Sequence, residues 1–366
     1  MKFLSSRHRR KAATVAATSA LMLGLAACGA ANEDADTTTD STSKLSGTLN
    51  GGGASSQESA VAAWKAGFQT TNADVTVNYD PVGSGGGREQ FLAGGLAFAG
   101  SDAYLSEEEL AVATKRCDGD VVSVPLYVSP IAVIFNLAGV DDLKLDAATV
   151  GSIFEGKITT WNDPAIAALN DGVKLPNETI TPVHRADDSG TTKNFTDYLS
   201  AAAGGTWSGG VVETWPIKGG EAAEGTSGVV QAVSGGKGTI GYADASQAGK
   251  LGQVQLKVGN EFVAPTAEAA AKVLDTAEPA TGRADTDIAL KIDRTTTASG
   301  VYPLVLVSYQ IACQKYEDAA QGELVKAWLT YVASKDGQAA SAKAAGSAPL
   351  SADFASKVSA AIASIS

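Results

Sequence analysis

Histidine is almost missing from this 366-residue chain, which has only His8 and His184. His8 lies in a basic leader, so one imidazole remains, and the chain has no acid/His cluster with ligand spacing. That lack argues against the metal cluster or His-activated nucleophile on which hydrolases usually depend. There is no Gly-x-Ser-x-Gly elbow either. Cysteine is scarce: Cys28, Cys117 and Cys313 are too far apart for a CxxC metal or redox site. Bases are outnumbered, with 28 Lys and Arg against 40 Asp and Glu, and five of the bases fall within the first eleven residues. Beyond residue 28 the balance is 23 against 40, a net charge of −17. Such a field argues against nucleic acid or an anionic bilayer as partner, and an anionic ligand would need local donors. Long apolar runs are absent as well, since residues 12–17 and 21–25 are too short and interrupted for a convincing membrane span.

What is present is a globular composition, 44% apolar and 19% charged, of a length that suggests two domains. Residues 1–28 read as a targeting segment whose end, Leu25-Ala26-Ala27-Cys28, resembles the bacterial lipobox, in which the cysteine is acylated and becomes the N-terminus. The alternative is a plain secretory cleavage near Ala27. Arg9-Arg10 does not make a twin-arginine signal, because the residues after it do not support one. Residues 29–45 are mostly Ala, Asn, Glu, Asp, Thr and Ser with almost nothing to bury, a disordered tether. Outside the cell, Cys117 and Cys313 make one possible disulfide; two separate buried thiols are the alternative.

Along the chain, strands repeatedly run into glycine and serine. Leu45–Asn50 reads as a strand entering Gly51-Gly52-Gly53-Ala54-Ser55-Ser56 ahead of a helix. Val75–Tyr79 leads to Gly83-Ser84-Gly85-Gly86-Gly87, and Ala97–Gly100 to Ser101-Asp102, before a capping-box start at Ser106 and Glu109. Turns of this kind along a βαβ-like segment point to a shared crevice at the strand C-termini. Two long β-rich runs, 121–136 and 301–311, suit segments that cross between lobes. Gly151–Lys157 matches the first seven positions of a P-loop, but Ile158 stands where the metal-binding hydroxyl belongs, so nucleotide binding is rejected.

The densest chemistry is His184-Arg185-Ala186-Asp187-Asp188-Ser189-Gly190-Thr191-Thr192, directly before helical spacing. Asp188 or Ser189 can cap that helix, and Gly190 lets the backbone approach whatever sits on its first turn. Unpaired N–H donors beside an arginine fork suit an anion. Taken alone, the stretch reads as well as an ordinary cap with a surface salt bridge. His184 reads as a strand-end residue rather than a general base.

These motifs, with Ile153-Phe154-Glu155-Gly156-Lys157-Ile158, Trp161-Asn162-Asp163 and Gly238-Thr239-Ile240-Gly241-Tyr242, recur in the same order in the PstS-type phosphate-binding proteins of ABC importers, which the chain resembles. The resemblance implies a type II periplasmic-binding-protein fold of two α/β lobes. Each lobe would be a mostly parallel sheet flanked by helices, and the hinge two crossing segments. Residues 46–127 with 301–366 would form lobe I and 128–300 lobe II. It also implies a non-enzymatic, monomeric solute-binding lipoprotein, held to the membrane only by lipid on Cys28, that needs no cofactor or metal and delivers inorganic phosphate to a permease. By position, Ser55, Ser56, Ser84, Ser189, Gly190 and Thr191 would donate to phosphate, Arg185 would pair with it, Asp187 would hold Arg185, and Asp102 would accept a phosphate proton. Phosphate keeps a proton at neutral pH and sulfate does not, so Asp102 would separate them. The chain departs from the family pattern at Ser56, where Phe is common, and at Asp188, where Gly is common. The competing readings are a secreted phosphate-ester hydrolase and a same-fold binder of another oxyanion.

Overall fold

The computed structural model describes residues 45–348 and 350–366, so the leader, the tether and Cys28 lie outside the described residues. A nine-stranded sheet runs through the molecule in the order Val75–Asp80, Gly47–Gly53, Phe98–Ser101, Val305–Cys313, Val121–Asn136, Thr239–Asp244, Thr181–Arg185, Glu221–Ala223, with Gly252–Gln253 paired off Val121–Asn136. The outer pairs in each half are parallel, as expected for strand–helix–strand units, whereas the central strands are antiparallel. Helices flank the sheet, giving the mixed α/β fold that the sequence implied.

Val121–Asn136 is one continuous strand of 16 residues, buried along nearly its whole length. Residues 121–130 pair with Val305–Cys313 and residues 131–136 with Thr239–Asp244, so a single strand serves both halves of the sheet. Its prolines sit where the ladder can spare a donor. Pro125 lies at the bulge beside Ser308 and Tyr309, and Pro130 is the last residue paired before the strand changes partner.

The first glycine run sits differently from its sequence reading. Gly51, Gly52 and Gly53 lie inside the strand Gly47–Gly53, and the turn begins at Ala54. Packing requires them: a Cβ on Gly51 would stand 2.2 Å from the Phe98 ring, and one on Gly53 2.0 Å from the Gly100 carbonyl oxygen. One aromatic group of the core is Phe68, Phe98 and Trp328 in edge and tilted contacts; in another, Phe154, Phe195, Trp215 and Tyr242 pack together. Cys117 and Cys313 are bonded, with Cα atoms 5.2 Å apart, tying the end of the helix Glu107–Arg116 to the end of a central strand. Ser106 and Glu109 form the expected capping box.

At the strand crossover, Asp244 is fully buried and accepts from the Tyr127 hydroxyl at 2.8 Å and from Ser246 N–H at 2.9 Å. Burial dominates these bonds and raises its carboxyl to about 6. A carboxyl raised on folding stabilises the fold fully below its unfolded pKa, and that contribution is lost as pH rises through the folded value. Native stability should therefore fall between about pH 4 and pH 7, by at most about 3 kcal/mol from this group. Urea denaturation across that range should show the slope in the native protein and a flatter one in Asp244→Asn; equal slopes would contradict the assignment.

Candidate functional site

Two sets of parallel strands run in opposite senses, Gly47–Gly53, Val75–Asp80 and Phe98–Ser101 in one half of the sheet and Thr181–Arg185 and Glu221–Ala223 in the other. The segments after their C-terminal ends meet one another, and four of the five lead into a helical turn there. After Gly47–Gly53 comes the short 3-10 turn Ser55–Gln57; after Val75–Asp80, the helix Ser84–Leu92; after Phe98–Ser101, Asp102. Thr181–Arg185 leads to the helix Gly190–Ala202, and Glu221–Ala223 to the helix Gly225–Gly235. First-turn N–H groups have no carbonyl within their own helix, so such starts supply donors and a partial positive charge.

Ser55, Ser56, Ser84, Asp102, Arg185, Ser189 and Thr191 are all buried, each 3% exposed or less, and the structure brings them together. Asp102 is their centre. Its Oδ1 accepts from Ser56 Oγ at 2.7 Å and from Ser308 Oγ at 2.5 Å, and its Oδ2 accepts from Thr191 Oγ1 at 3.0 Å. Its own N–H donates to Ser84 Oγ at 3.1 Å. A Cβ on Gly190 would stand 2.4 Å from Ser84 Oγ and 2.7 Å from Asp102 Cβ, so only glycine lets this helix start come so near. Burial pushes the Asp102 carboxyl up, and the hydroxyls of Ser308, Ser56 and Thr191, with the charge of Arg185, offset part of that rise.

Arg185 is held in a fork. Its Nε donates to Asp187 Oδ1 at 2.7 Å and its Nη2 to Asp187 Oδ2. Among the described residues nothing accepts from its Nη1. Burial raises the Asp187 carboxyl, but Arg185 and the Gly225 N–H at 3.1 Å outweigh it and leave the group below the usual carboxylate range. Asp187 is thus an ionised strut, and the guanidinium it orients keeps a free edge. Ser189 caps the helix through Thr192 N–H at 3.1 Å. Asp188 is exposed and turned away, with Oδ1 accepting from the Thr214 hydroxyl and its carbonyl from Gly85 N–H at 3.0 Å. The extra carboxylate therefore does not enter the cluster. His184 stacks on Trp215 with ring centroids 5.0 Å apart, as a strand-end residue rather than a base aimed at the cluster.

Several members had gone unnoticed in the sequence. Thr226, in the first turn of the helix Gly225–Gly235, donates its N–H to Ser55 Oγ at 3.0 Å and meets that hydroxyl with its own at 3.1 Å. Ser308 sits at the bulge of the strand Val305–Cys313 and is backed by Gln57 Nε2 at 2.5 Å. The signal was available: Ser308 and Gln310 interrupt an otherwise apolar run, and polar groups inside a fully buried strand need partners. Gly151–Lys157 is not part of the site. It ends the helix Ala147–Phe154, and Lys157 bonds the Thr206 carbonyl.

The comparisons with known proteins agree on one lineage. Residues 38–336 match the family described as the PBP superfamily domain. The phosphate-binding protein PstS 3 of Mycobacterium leprae (strain TN) is 37% identical over 286 residues, covering 77% of this chain and 78% of its own. This chain belongs to the PstS family. A second relative, PstS2 of Mycobacterium bovis (strain BCG / Pasteur 1173P2), is 34% identical across 98% of this chain and all of its own. Among solved structures, a periplasmic phosphate-binding protein (PfluDING) bound with phosphate superposes with a TM-score of 0.70 at 24% identity, covering 86% of this chain and 93% of its own. That likeness establishes the type II periplasmic-binding-protein fold. In this PstS-family chain the polar cluster occupies the strand ends where open α/β sheets take their ligands.

Proposed function

We propose that the protein captures one inorganic phosphate ion between two lobes, residues 46–127 with 301–366 and residues 128–300. We further propose that it hands the ion to an ABC-type import permease, while anchored at the outer face of the cell membrane through lipid on Cys28. In this reading Arg185 Nη1 and the N–H groups of Gly190 and Thr191 take the charged oxygens, Ser55, Ser56 and Ser84 donate to the rest, and Asp102 accepts the remaining proton. The observation that carries the reading is the pairing of a buried carboxylate, already satisfied by three hydroxyls, with a single oriented guanidinium among neutral donors. A dianion entering such a site is repelled by Asp102 unless it brings a proton to that oxygen. Six of the eight proposed contact residues, Ser55, Ser56, Ser84, Ser189, Gly190 and Thr191, are neutral, and the charges of Arg185 and Asp102 oppose each other, so the net charge of −17 on the rest of the chain does not decide the matter.

The direct test is calorimetric titration of the full protein, freed of bound anion, with phosphate and with sulfate at neutral pH. One phosphate should bind per chain, with a change in tryptophan fluorescence, since Trp215 stacks on Tyr242 and Tyr242 bonds Thr192 of the site helix. Sulfate at equal concentration should leave both signals unchanged. Equal binding of the two anions would remove the role given to Asp102.

A further inference from the structure

The anion cluster does not use Arg88, although this guanidinium is only 6% exposed and belongs to the helix Ser84–Leu92 that begins at the cluster. Arg88 spends all three of its nitrogens: Nε on Glu109 Oε1 at 2.8 Å, Nη1 on Ser101 Oγ at 3.0 Å and Nη2 on Glu213 Oε2 at 2.7 Å. Glu109 and Ser101 belong to the same stretch of chain as Arg88, residues 46–127. Glu213 comes from the other, residues 128–300. Its carboxylate is 15% exposed, and its second oxygen takes Lys193 Nζ at 3.2 Å. The backbone there is stitched to the site as well, because Ser189 N–H donates to the Glu213 carbonyl at 3.2 Å. Arg88–Glu213 is therefore a largely buried ion pair between the two parts of the chain that the proposed closure brings together.

Separating a buried pair is ordinarily costly, because each charge is left without a partner. Here neither would be. On opening, Arg88 keeps Glu109 and Ser101, and Glu213 keeps Lys193. The pair can hold the closed form and still come apart, and the two bystander charges set how easily it does so.

Resting on the phosphate-capture reading above, we propose that Arg88 and Glu213 form a latch governing how long the closed protein retains its anion, with Glu109 and Lys193 as the partners that receive the two charges on opening. None of the four touches the anion; all are positioning residues. The arrangement makes two predictions of opposite sign, which a merely stabilising salt bridge would not. Glu213→Gln removes the charge that holds Arg88 across the cleft, so release should quicken by about tenfold while association stays within about twofold. Glu109→Gln removes the charge that stays beside Arg88 when Glu213 departs, so an opened Arg88 would be under-paired and release should slow several-fold. Glutamine at position 109 can still accept from Ser106 N–H and preserve the helix cap.

The experiment is stopped-flow measurement of phosphate association and release for the full protein, Glu213→Gln and Glu109→Gln, with thermal melts alongside. Faster release in the first and slower release in the second supports the latch. Release rates within twofold of the native protein in both, or shifted in the same direction, overturn it even if the melting temperatures fall. Should Glu213→Gln not fold, the direction of change in Glu109→Gln decides alone. If the native protein binds no phosphate at all, the capture reading fails first and the latch with it, an outcome distinct from native binding with unaltered variants.

Discussion

Arg185→Ala should reduce phosphate affinity by about 4 kcal/mol, close to a thousandfold in Kd, measured by calorimetry at neutral pH. Three consequences of the truncation act together. The anion loses its only fixed charge, and a hydrogen bond to a charged group is worth more than one between neutral groups. Asp187, 7% exposed and dependent on Arg185 for its ionised state, becomes an uncompensated carboxylate beside the site. The field of the remaining chain is negative and offers nothing in return. Arg185→Lys separates these terms, since it restores the charge without the fork that Asp187 grips on one side while Nη1 stays free on the other. It should recover roughly half of the lost free energy. A loss below tenfold in Arg185→Ala would mean that the guanidinium is structural only.

Asp102→Asn should change selectivity more than affinity. In the native protein the carboxylate can only accept, so an oxygen without a proton is met by a second lone pair in a site sealed from water. The amide can turn a donor toward that oxygen. Sulfate binding should strengthen by about a hundredfold and phosphate binding weaken by about tenfold, a change in the ratio near 4 kcal/mol. The three hydroxyls around position 102 can rotate to suit the amide, so the fold should survive. A pH series on the native protein supplies a companion check. Burial raises the Asp102 carboxyl, and once protonated it becomes a donor, so sulfate should compete better as pH falls and should approach the behaviour of the Asn variant. Sulfate competition that is flat with pH would count against the role given to Asp102.

The site was more legible in the sequence than the details of the fold that builds it. Strand ends followed by glycine and serine announce turns at strand C-termini, and those after Gly47–Gly53, Val75–Asp80, Phe98–Ser101 and Thr181–Arg185 do converge, because the parallel strands of the two halves run in opposite senses and aim their C-terminal ends at each other. Ser55, Ser84, Asp102 and Arg185 could be singled out because each lies in its own short segment, and the resemblance those segments carry supplied their roles. Ser308, Thr226 and Glu213 were missed because their importance lies in partners 206, 171 and 125 residues away. No local pattern encodes such pairings. The glycine run at 51–53 misled for a related reason: its lack of side chains serves the Phe98 ring and the Gly100 backbone, contacts made by a neighbouring strand, and not a turn of its own. The role of Val121–Asn136 could be read from length and proline alone, since 16 residues exceed a usual strand and Pro130 marks the place where the pairing partner changes.

The account stands most directly on where the anion sits. Arsenate resembles phosphate in shape and in keeping a proton at neutral pH, and arsenic gives an anomalous X-ray signal that locates it without bias. Crystals of the protein grown with arsenate should show one arsenic peak, within hydrogen-bonding reach of Arg185 Nη1 on one side and of Asp102 on the other. A single strong peak elsewhere on the molecule, with the Asp102 and Arg185 cluster empty, would contradict the account.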